Sequence, residues 1–176
     1  MSLDAAQTPD PQIAAIMERQ RAAFDSGLTR DLAWRRAQLA ALERMMVENE
    51  AEIASALKAD LGKPFAEACT AEIDLVSSEA ALARKQVARW IRPQRTSTPL
   101  AIQPGKSFIE SAPYGVTLII GAWNYPFQLV LAPLVGAIAA GNCAVIKPSE
   151  MAVQSSALLK RLVERYLDPR AFAVVE

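Results

Sequence analysis

The sequence predicts an α/β fold in which N-terminal helices precede a parallel half-sheet. Residues 1–98 repeat apolar side chains at helical spacing, and residues 99–112 are extended in pattern and contain two prolines. From Pro113 onward, short apolar runs alternate with helical segments in the order βαβαβ. That order is typical of parallel strands joined by right-handed crossovers. We therefore divide the chain into a helical region (residues 1–98), an extended segment (residues 99–112) and a half-sheet (residues 113–176).

Three helices are predicted in the helical region. Pro11–Phe24 is short, Thr29–Leu61 is predicted as one long helix, and Phe65–Trp90 has an apolar residue at every third or fourth position. Each helix presents one apolar face that must be buried against another element. The third helix also carries acidic residues that we expect on its solvated side: Glu67, Glu72, Asp74 and Glu79.

The extended segment is predicted to form a hairpin. Leu100–Ile102 and Ser107–Glu110 are short extended pieces, and Pro104-Gly105 between them is typical of a turn. Because proline lacks a backbone donor, such strands belong at a sheet edge.

Residues 113–176 are predicted to form three strands and two helices. Val116–Ala122 is a continuous apolar run, as expected of a strand covered on both faces. This strand is followed by a helix over residues 127–140, strand Cys143–Ile146, a helix over Ser149–Tyr166 that Ser149 caps, and strand Phe172–Val175. Ligands of open α/β sheets bind at the carboxyl ends of the strands, so the residues that follow these strands are the candidates for a site.

Polar side chains follow the first two strands. Asn124 could be a turn former ahead of a helix that opens at Pro126, or an amide donor to an oxyanion. Lys147 directly follows the second strand and Glu150 lies one turn later. They could be ligand contacts, or an exposed lysine and an acidic residue that suits the helix dipole.

Composition excludes several classes of function. Nineteen basic and nineteen acidic residues cancel, which gives no electrostatic reason to expect nucleic acid or an anionic membrane as partner. Histidine is absent, and Cys69 and Cys143 are isolated, so we expect no metal site and no disulfide scaffold. No G-x-G-x-x-G or Walker motif, signal peptide or membrane span is visible. Two isolated cysteines fit a reducing, cytoplasmic compartment.

Five segments in this order resemble the N-terminal portion of class 3 aldehyde dehydrogenases. They cover most of the chain after its first dozen residues: Ala59-Asp-Leu-Gly-Lys63, Pro113-Tyr-Gly-Val116, Trp123-Asn-Tyr-Pro-Phe127, the run 133–142 and Val145-Ile-Lys-Pro-Ser-Glu150. The resemblance implies an incomplete aldehyde dehydrogenase fold, in which 113–176 is the first half of a Rossmann-like NAD(P)-binding domain. It also implies that 99–112 is an oligomerisation arm and that the full-length parent is a homodimer.

The resemblance assigns roles to the candidate residues. Asn124 matches the oxyanion amide, Lys147 and Glu150 match contacts to the adenine ribose hydroxyls, and Ala122 and Trp123 would line the passage where nicotinamide meets the aldehyde. The implied reaction oxidises an aldehyde, a small-molecule substrate, to a carboxylic acid with NAD or NADP through a cysteine thiohemiacetal.

The family's cysteine nucleophile and glutamate base belong beyond residue 176. The resemblance therefore implies that this chain alone is inactive, because no acyl-enzyme can form without the nucleophile. The alternative is a non-catalytic nucleotide-binding or assembly module.

Overall fold

The computed structural model describes residues 10–176 and confirms the α/β class. The first nine residues, on which the prediction of no signal peptide depends, lie outside the described residues. The helices are α1 Pro11–Asp25, α2 Leu32–Glu48, α3 Glu50–Leu61, α4 Phe65–Ala68, α5 Asp74–Trp90, α6 Gln128–Ala140 and α7 Val153–Tyr166. The strands are β1 Gln94–Thr96, β2 Ser107–Ile109, β3 Val116–Ile120, β4 Cys143–Lys147 and β5 Phe172–Val174.

The parallel half-sheet has the strand order β3-β4-β5. Val116 pairs with Cys143 and Ile120 with Lys147, while Ala144 pairs with Phe172. Helices α6 and α7 connect the strands, which confirms the predicted βαβαβ order. Residues Cys143 to Ile146 of β4 are all buried, and since successive side chains point to opposite faces, both faces of the central strand are covered.

The helical region packs onto the half-sheet mainly through α2 and α5, which contact each other and α6. Their shared core contains fully buried side chains from every helix of the group, including Leu39, Leu42, Val76, Leu131 and Leu134. On the sheet itself, Gln20 of α1 donates through Nε2 to the carbonyl of Ala144 at 2.9 Å, which docks the first helix on β4. Within residues 10–176, no helix is both long and apolar enough to cross a membrane.

The single helix predicted over Thr29–Leu61 is wrong, because the chain breaks at Asn49. The Asn49 amide donates to the Met45 carbonyl at 2.8 Å and to the Tyr166 hydroxyl at 3.0 Å. An asparagine that bonds its own backbone competes with the helix. The break redirects α3, which packs against α7.

A hairpin is present, but its first strand is not the predicted Leu100–Ile102. β2 pairs with β1, in the register Gln94 to Ile109 and Thr96 to Ser107. Leu100–Ile102 instead forms a 3₁₀ turn, in which Ile102 N donates to Pro99 O. Because these backbone groups are bonded within the local turn, they cannot pair with a neighbouring strand.

Two further predictions are wrong at the half-sheet. Strand β3 is covered on one face only: Ile119 is buried, whereas Leu118 and Ile120 are 64% and 70% exposed. Helix α7 begins at Val153, not at Ser149. Its first amides, Gln154 N and Ser155 N, donate to the Asp60 carboxylate at 3.1 and 2.7 Å, so α3 supplies the cap.

Candidate active site

The sheet brings the two predicted site segments to the same edge. Ala122 to Asn124 follow β3, and Lys147 to Glu150 begin at the end of β4. Ile120 pairs with Lys147, and Gly121 N donates to the Lys147 carbonyl at 3.0 Å. All five predicted residues therefore lie at the carboxyl edge of the parallel sheet, where ligands of such sheets bind.

Gly121 lets the chain leave β3 in close contact with α6. A Cβ placed on Gly121 would lie 2.3 Å from Cγ1 of Val130, a buried side chain of that helix. Val130 is β-branched and has little rotameric freedom to move aside. The path of residues 122–124 thus depends on a residue without a side chain at position 121.

The Asn124 side chain is exposed, and it forms no hydrogen bond with any other residue in the range 10–176. It does not cap α6. The first amides of that helix, Phe127 N and Gln128 N, donate instead to Oε2 of Glu72, at 2.9 and 3.3 Å. The turn-former interpretation of Asn124 is therefore wrong for its side chain, whose amide is left available to a ligand.

Glu72 is the residue of this region that sequence reasoning missed. It was predicted on a solvated face, yet it is fully buried within a π-helical turn, Cys69–Ile73, that joins α4 to α5. A wider turn changes the angular spacing of its side chains. One signal was present: Glu72 lies three residues after Cys69 and four before Val76, which are spacings of the apolar stripe.

Lys63 completes the buried group beneath the Asn124 turn. It forms a salt bridge with Oε1 of Glu72, and it is itself only 8% exposed. Its Nζ also lies 3.7 Å from the centroid of the Tyr125 ring, within the range of a cation–π contact. The lysine thus connects the Glu72 carboxylate to the residue that follows Asn124.

Lys147 and Glu150 form the second half of the site. Lys147 Nζ donates to Glu150 Oε2 at 3.2 Å and to the Pro148 carbonyl at 3.0 Å. A hydrogen bond from its own backbone and one from Lys147 lower the pKa of the Glu150 carboxyl, which keeps it ionised at neutral pH. Because the pair is solvent-exposed, it adds little to stability, and both groups remain accessible to a ligand.

Ala122 and Trp123 connect the sheet to Asn124. Ala122 is partly buried and Trp123 is 50% exposed. A half-exposed indole beside an exposed amide offers an apolar wall next to a hydrogen-bond donor, a combination typical of small-molecule sites.

Neither cysteine is a candidate nucleophile. Cys143 begins β4, at the opposite end of the strand from Lys147, and donates to the Gln20 carbonyl at 3.4 Å. Burial, and then the charge of Asp168, raise its pKa to about 11. Burial, followed by the charge of Glu50, also raises the pKa of Cys69. Both groups are thiols at neutral pH, and it is the thiolate that attacks.

Curated relatives match nearly the whole chain. Aldehyde dehydrogenase family 3 member H1 of Arabidopsis thaliana is 48% identical over 161 residues, which cover 92% of this chain and 33% of the relative. Aldehyde dehydrogenase family 3 member B1 of Bos taurus is 43% identical over 166 residues, which cover 94% and 35%. The chain spans about a third of the length of these relatives.

Solved structures share the fold. The substrate-bound state of Staphylococcus aureus AldH gives a TM-score of 0.90 at 40% identity, over 93% of this chain and 36% of that one. An AldC mutant from Pseudomonas syringae, in complex with NAD+ and octanal, gives 0.77 at 27% identity, over 93% and 32%.

The resemblance to class 3 enzymes is confirmed by these relatives and by the sequence profile described as "Aldehyde dehydrogenase family", which matches residues 3–176. The chain belongs to the aldehyde dehydrogenase family.

Proposed function

We propose that this chain is a portion of an NAD(P)-dependent oxidoreductase that converts an aldehyde to a carboxylic acid. In this proposal Asn124 donates its amide N–H to the carbonyl oxygen. When a thiolate attacks the carbonyl carbon, the electron pair of the C=O bond moves onto that oxygen. An amide donor at the position where the charge develops stabilises that charge more than it stabilises the aldehyde, and so lowers the barrier.

One observation carries the proposal: the Asn124 amide is exposed at the sheet edge while Glu72 caps the following helix. An asparagine before a helix is ordinarily engaged in capping. Here the α6 amides have another acceptor, so the Asn124 side chain serves no such local purpose.

The nucleotide half of the proposal depends on Lys147 and Glu150. An ammonium donor and a carboxylate acceptor 3.2 Å apart match a vicinal diol, whose two hydroxyls can each donate and accept, so the residues fit the adenine ribose. When bound, NAD(P)+ supplies the acceptor for the aldehyde hydride. The Glu150 charge disfavours a 2′-phosphate and the Lys147 charge favours it, so we propose either NAD or NADP. The AldC mutant holds NAD+, and a Streptococcus pyogenes succinic semialdehyde dehydrogenase of the same fold holds NADP+.

We infer that the nucleophile comes from residues outside this sequence. Since both thiols of the chain have raised pKa values, the 176 residues alone are expected to show no aldehyde oxidation. If this chain binds the nucleotide but the natural gene product does not oxidise an aldehyde, the alternative is favoured, namely a non-catalytic binding or assembly module.

The proposal extends to assembly and location. Leu100, Phe108 and Ile109 around the hairpin are exposed apolar side chains, which supports residues 99–112 as a segment of an arm that covers a second copy in a homodimer. We also propose that residues 113–176 are the nucleotide-binding unit and that the helical region packs on it. A cytoplasmic location rests on the two free cysteines, which suit a reducing compartment.

The test is steady-state oxidation of octanal, with NAD+ and with NADP+, by the natural gene product that carries this chain. We expect Asn124→Ala to lower kcat by about 10²- to 10³-fold, the loss typical of one oxyanion donor. Gln154→Ala, which removes an exposed amide of α7, serves as the matched control and should leave kcat unchanged. Full activity in Asn124→Ala would refute the role of the amide.

A further inference from the structure

We infer that Glu72, held by Lys63, is a positioning residue for Asn124. The buried carboxylate fixes the start of α6, and through it the place from which the Asn124 amide reaches a ligand. This inference rests on the proposed role of Asn124 as the oxyanion donor. It assigns a contribution to catalysis to two residues that lie on other elements and expose almost none of their surface.

The first step is the connection between Glu72 and the turn. Oε2 of Glu72 accepts from Phe127 N and Gln128 N, and Phe127 is three residues after Asn124. Pro126 between them has a fixed φ, and it restricts Tyr125 to extended conformations. A displacement of Phe127 is therefore transmitted to Asn124 with little loss.

The second step is the contact from Lys63. Its ammonium group lies on the Tyr125 ring and is bound to Oε1 of Glu72. On the other side of Asn124, Gly121 is bound to the Lys147 carbonyl. The backbone is thus bonded at 121 and at 127, and the Tyr125 side chain is held between them, so Asn124 lies in a short stretch with a contact on either side.

The third step is the choice of charged groups for a buried position. Well-packed apolar side chains of similar volume often give as much stability as a buried ion pair, because both charges of the pair lose their hydration. A carboxylate does, however, bind two backbone amides in a defined direction. Stability alone does not call for Glu72 here, whereas a fixed helix start beside a reacting group does.

A double-mutant cycle in the natural gene product tests the inference. We expect Glu72→Gln to lower kcat by about 10- to 100-fold, as small misplacements of a catalytic group do, with little change in the KM for the nucleotide. In an Asn124→Ala background the same change should have almost no effect on kcat, because its action passes through Asn124. A general loss of structure would lower kcat by the same factor in both backgrounds.

Asp168→Asn is the matched control. Asp168 is also a largely buried carboxylate that accepts hydrogen bonds, from Trp34 Nε1 and Arg170 N, but it lies just before β5, toward the opposite edge of the sheet. It should leave kcat unchanged in both backgrounds. If the Glu72→Gln variant does not fold, Lys63→Met/Glu72→Gln removes both charges together, leaves none unpaired, and enters the same cycle.

The outcomes separate the two proposals. If Asn124→Ala loses kcat and the Glu72 variant does not, or loses it equally in both backgrounds, the positioning role is wrong and the oxyanion role stands. If Asn124→Ala keeps full kcat, the oxyanion role is wrong and the inference about Glu72 is overturned with it.

Discussion

At the scale of single residues, the site is decided by which polar side chains are already engaged. The candidates Asn124, Lys147 and Glu150 could be predicted from the sequence, because each follows the end of an apolar strand. The burial of Glu72 near Asn124 could not be predicted in the same way, since its carboxylate accepts from the backbone amides of Phe127 and Gln128, and a sequence does not show which side chain a backbone amide will bond. The spacing of Glu72 from Cys69 and Val76 indicated the buried face, but its charge predicted a solvated position as long as no tertiary partner was known.

The Cys143 thiol makes stability depend on alkaline pH. Burial raises its pKa from an ordinary value of 9.0 to about 11, so above pH 9 the unfolded state loses this proton while the folded state keeps it. The free energy of unfolding should therefore fall between about pH 9 and pH 11, by up to about 2 kcal/mol. Urea unfolding at pH 8 and at pH 10.5 measures the change. Cys143→Ala should lose less stability over this range, and equal losses would contradict the prediction.

At the scale of elements, periodic segments could be predicted and their ends could not. The alternation of strands and helices after Pro113 depends on local patterns and is present in the structure. The stripe predicted over Phe65–Trp90 is buried only from Ile73 to Val87, because a π-turn at Cys69–Ile73 divides the predicted helix and both Phe65 and Trp90 are exposed. The break at Asn49 and the late start of α7 depend on hydrogen bonds with Tyr166 and Asp60. These partners lie far away in the sequence, so local propensity alone does not reveal them.

The cap that Asp60 provides for α7 should be measurable. We expect Asp60→Ala to lower the free energy of unfolding by about 1 kcal/mol, the typical effect of losing an N-terminal cap. Urea unfolding checks the value. Glu52→Ala, which removes an exposed salt bridge with Arg161 on the same pair of helices, should cost about 0.5 kcal/mol or less. Equal losses in the two variants would argue against a specific capping role.

At the scale of the whole molecule, the class of fold could be predicted but the coverage of its surfaces could not. An apolar strand pattern such as Val116–Ala122 predicts that both faces are covered, but it does not identify what covers them. Within residues 10–176 the second face of β3 is uncovered, at Leu118 and Ile120. The same limit applies to the hairpin, where Phe108 and Ile109 are exposed although their apolar character predicts a covered position.

The hairpin gives a prediction for the assembled protein. In the natural gene product we expect Phe108→Glu/Ile109→Glu to shift a dimer towards monomer, because two buried charges oppose an apolar interface. Sedimentation velocity over a range of concentrations measures the shift. Leu82→Glu, at an exposed apolar position of α5, is the control and should leave the dimer intact. A monomeric parent protein, or an unchanged dimer in the hairpin variant, would contradict the prediction.

The capping of α6 by Glu72 also bears on attempts to move this site into another scaffold. The loop from Trp123 to Phe127 looks like a self-contained unit that could be transplanted, yet the amide at its end, Phe127 N, donates to a carboxylate 55 positions earlier in the chain. We expect a graft that carries the loop alone to reproduce its sequence without its conformation. A transferable unit would have to include the loop, the π-turn with Glu72, Lys63, and the end of β4 that bonds Gly121.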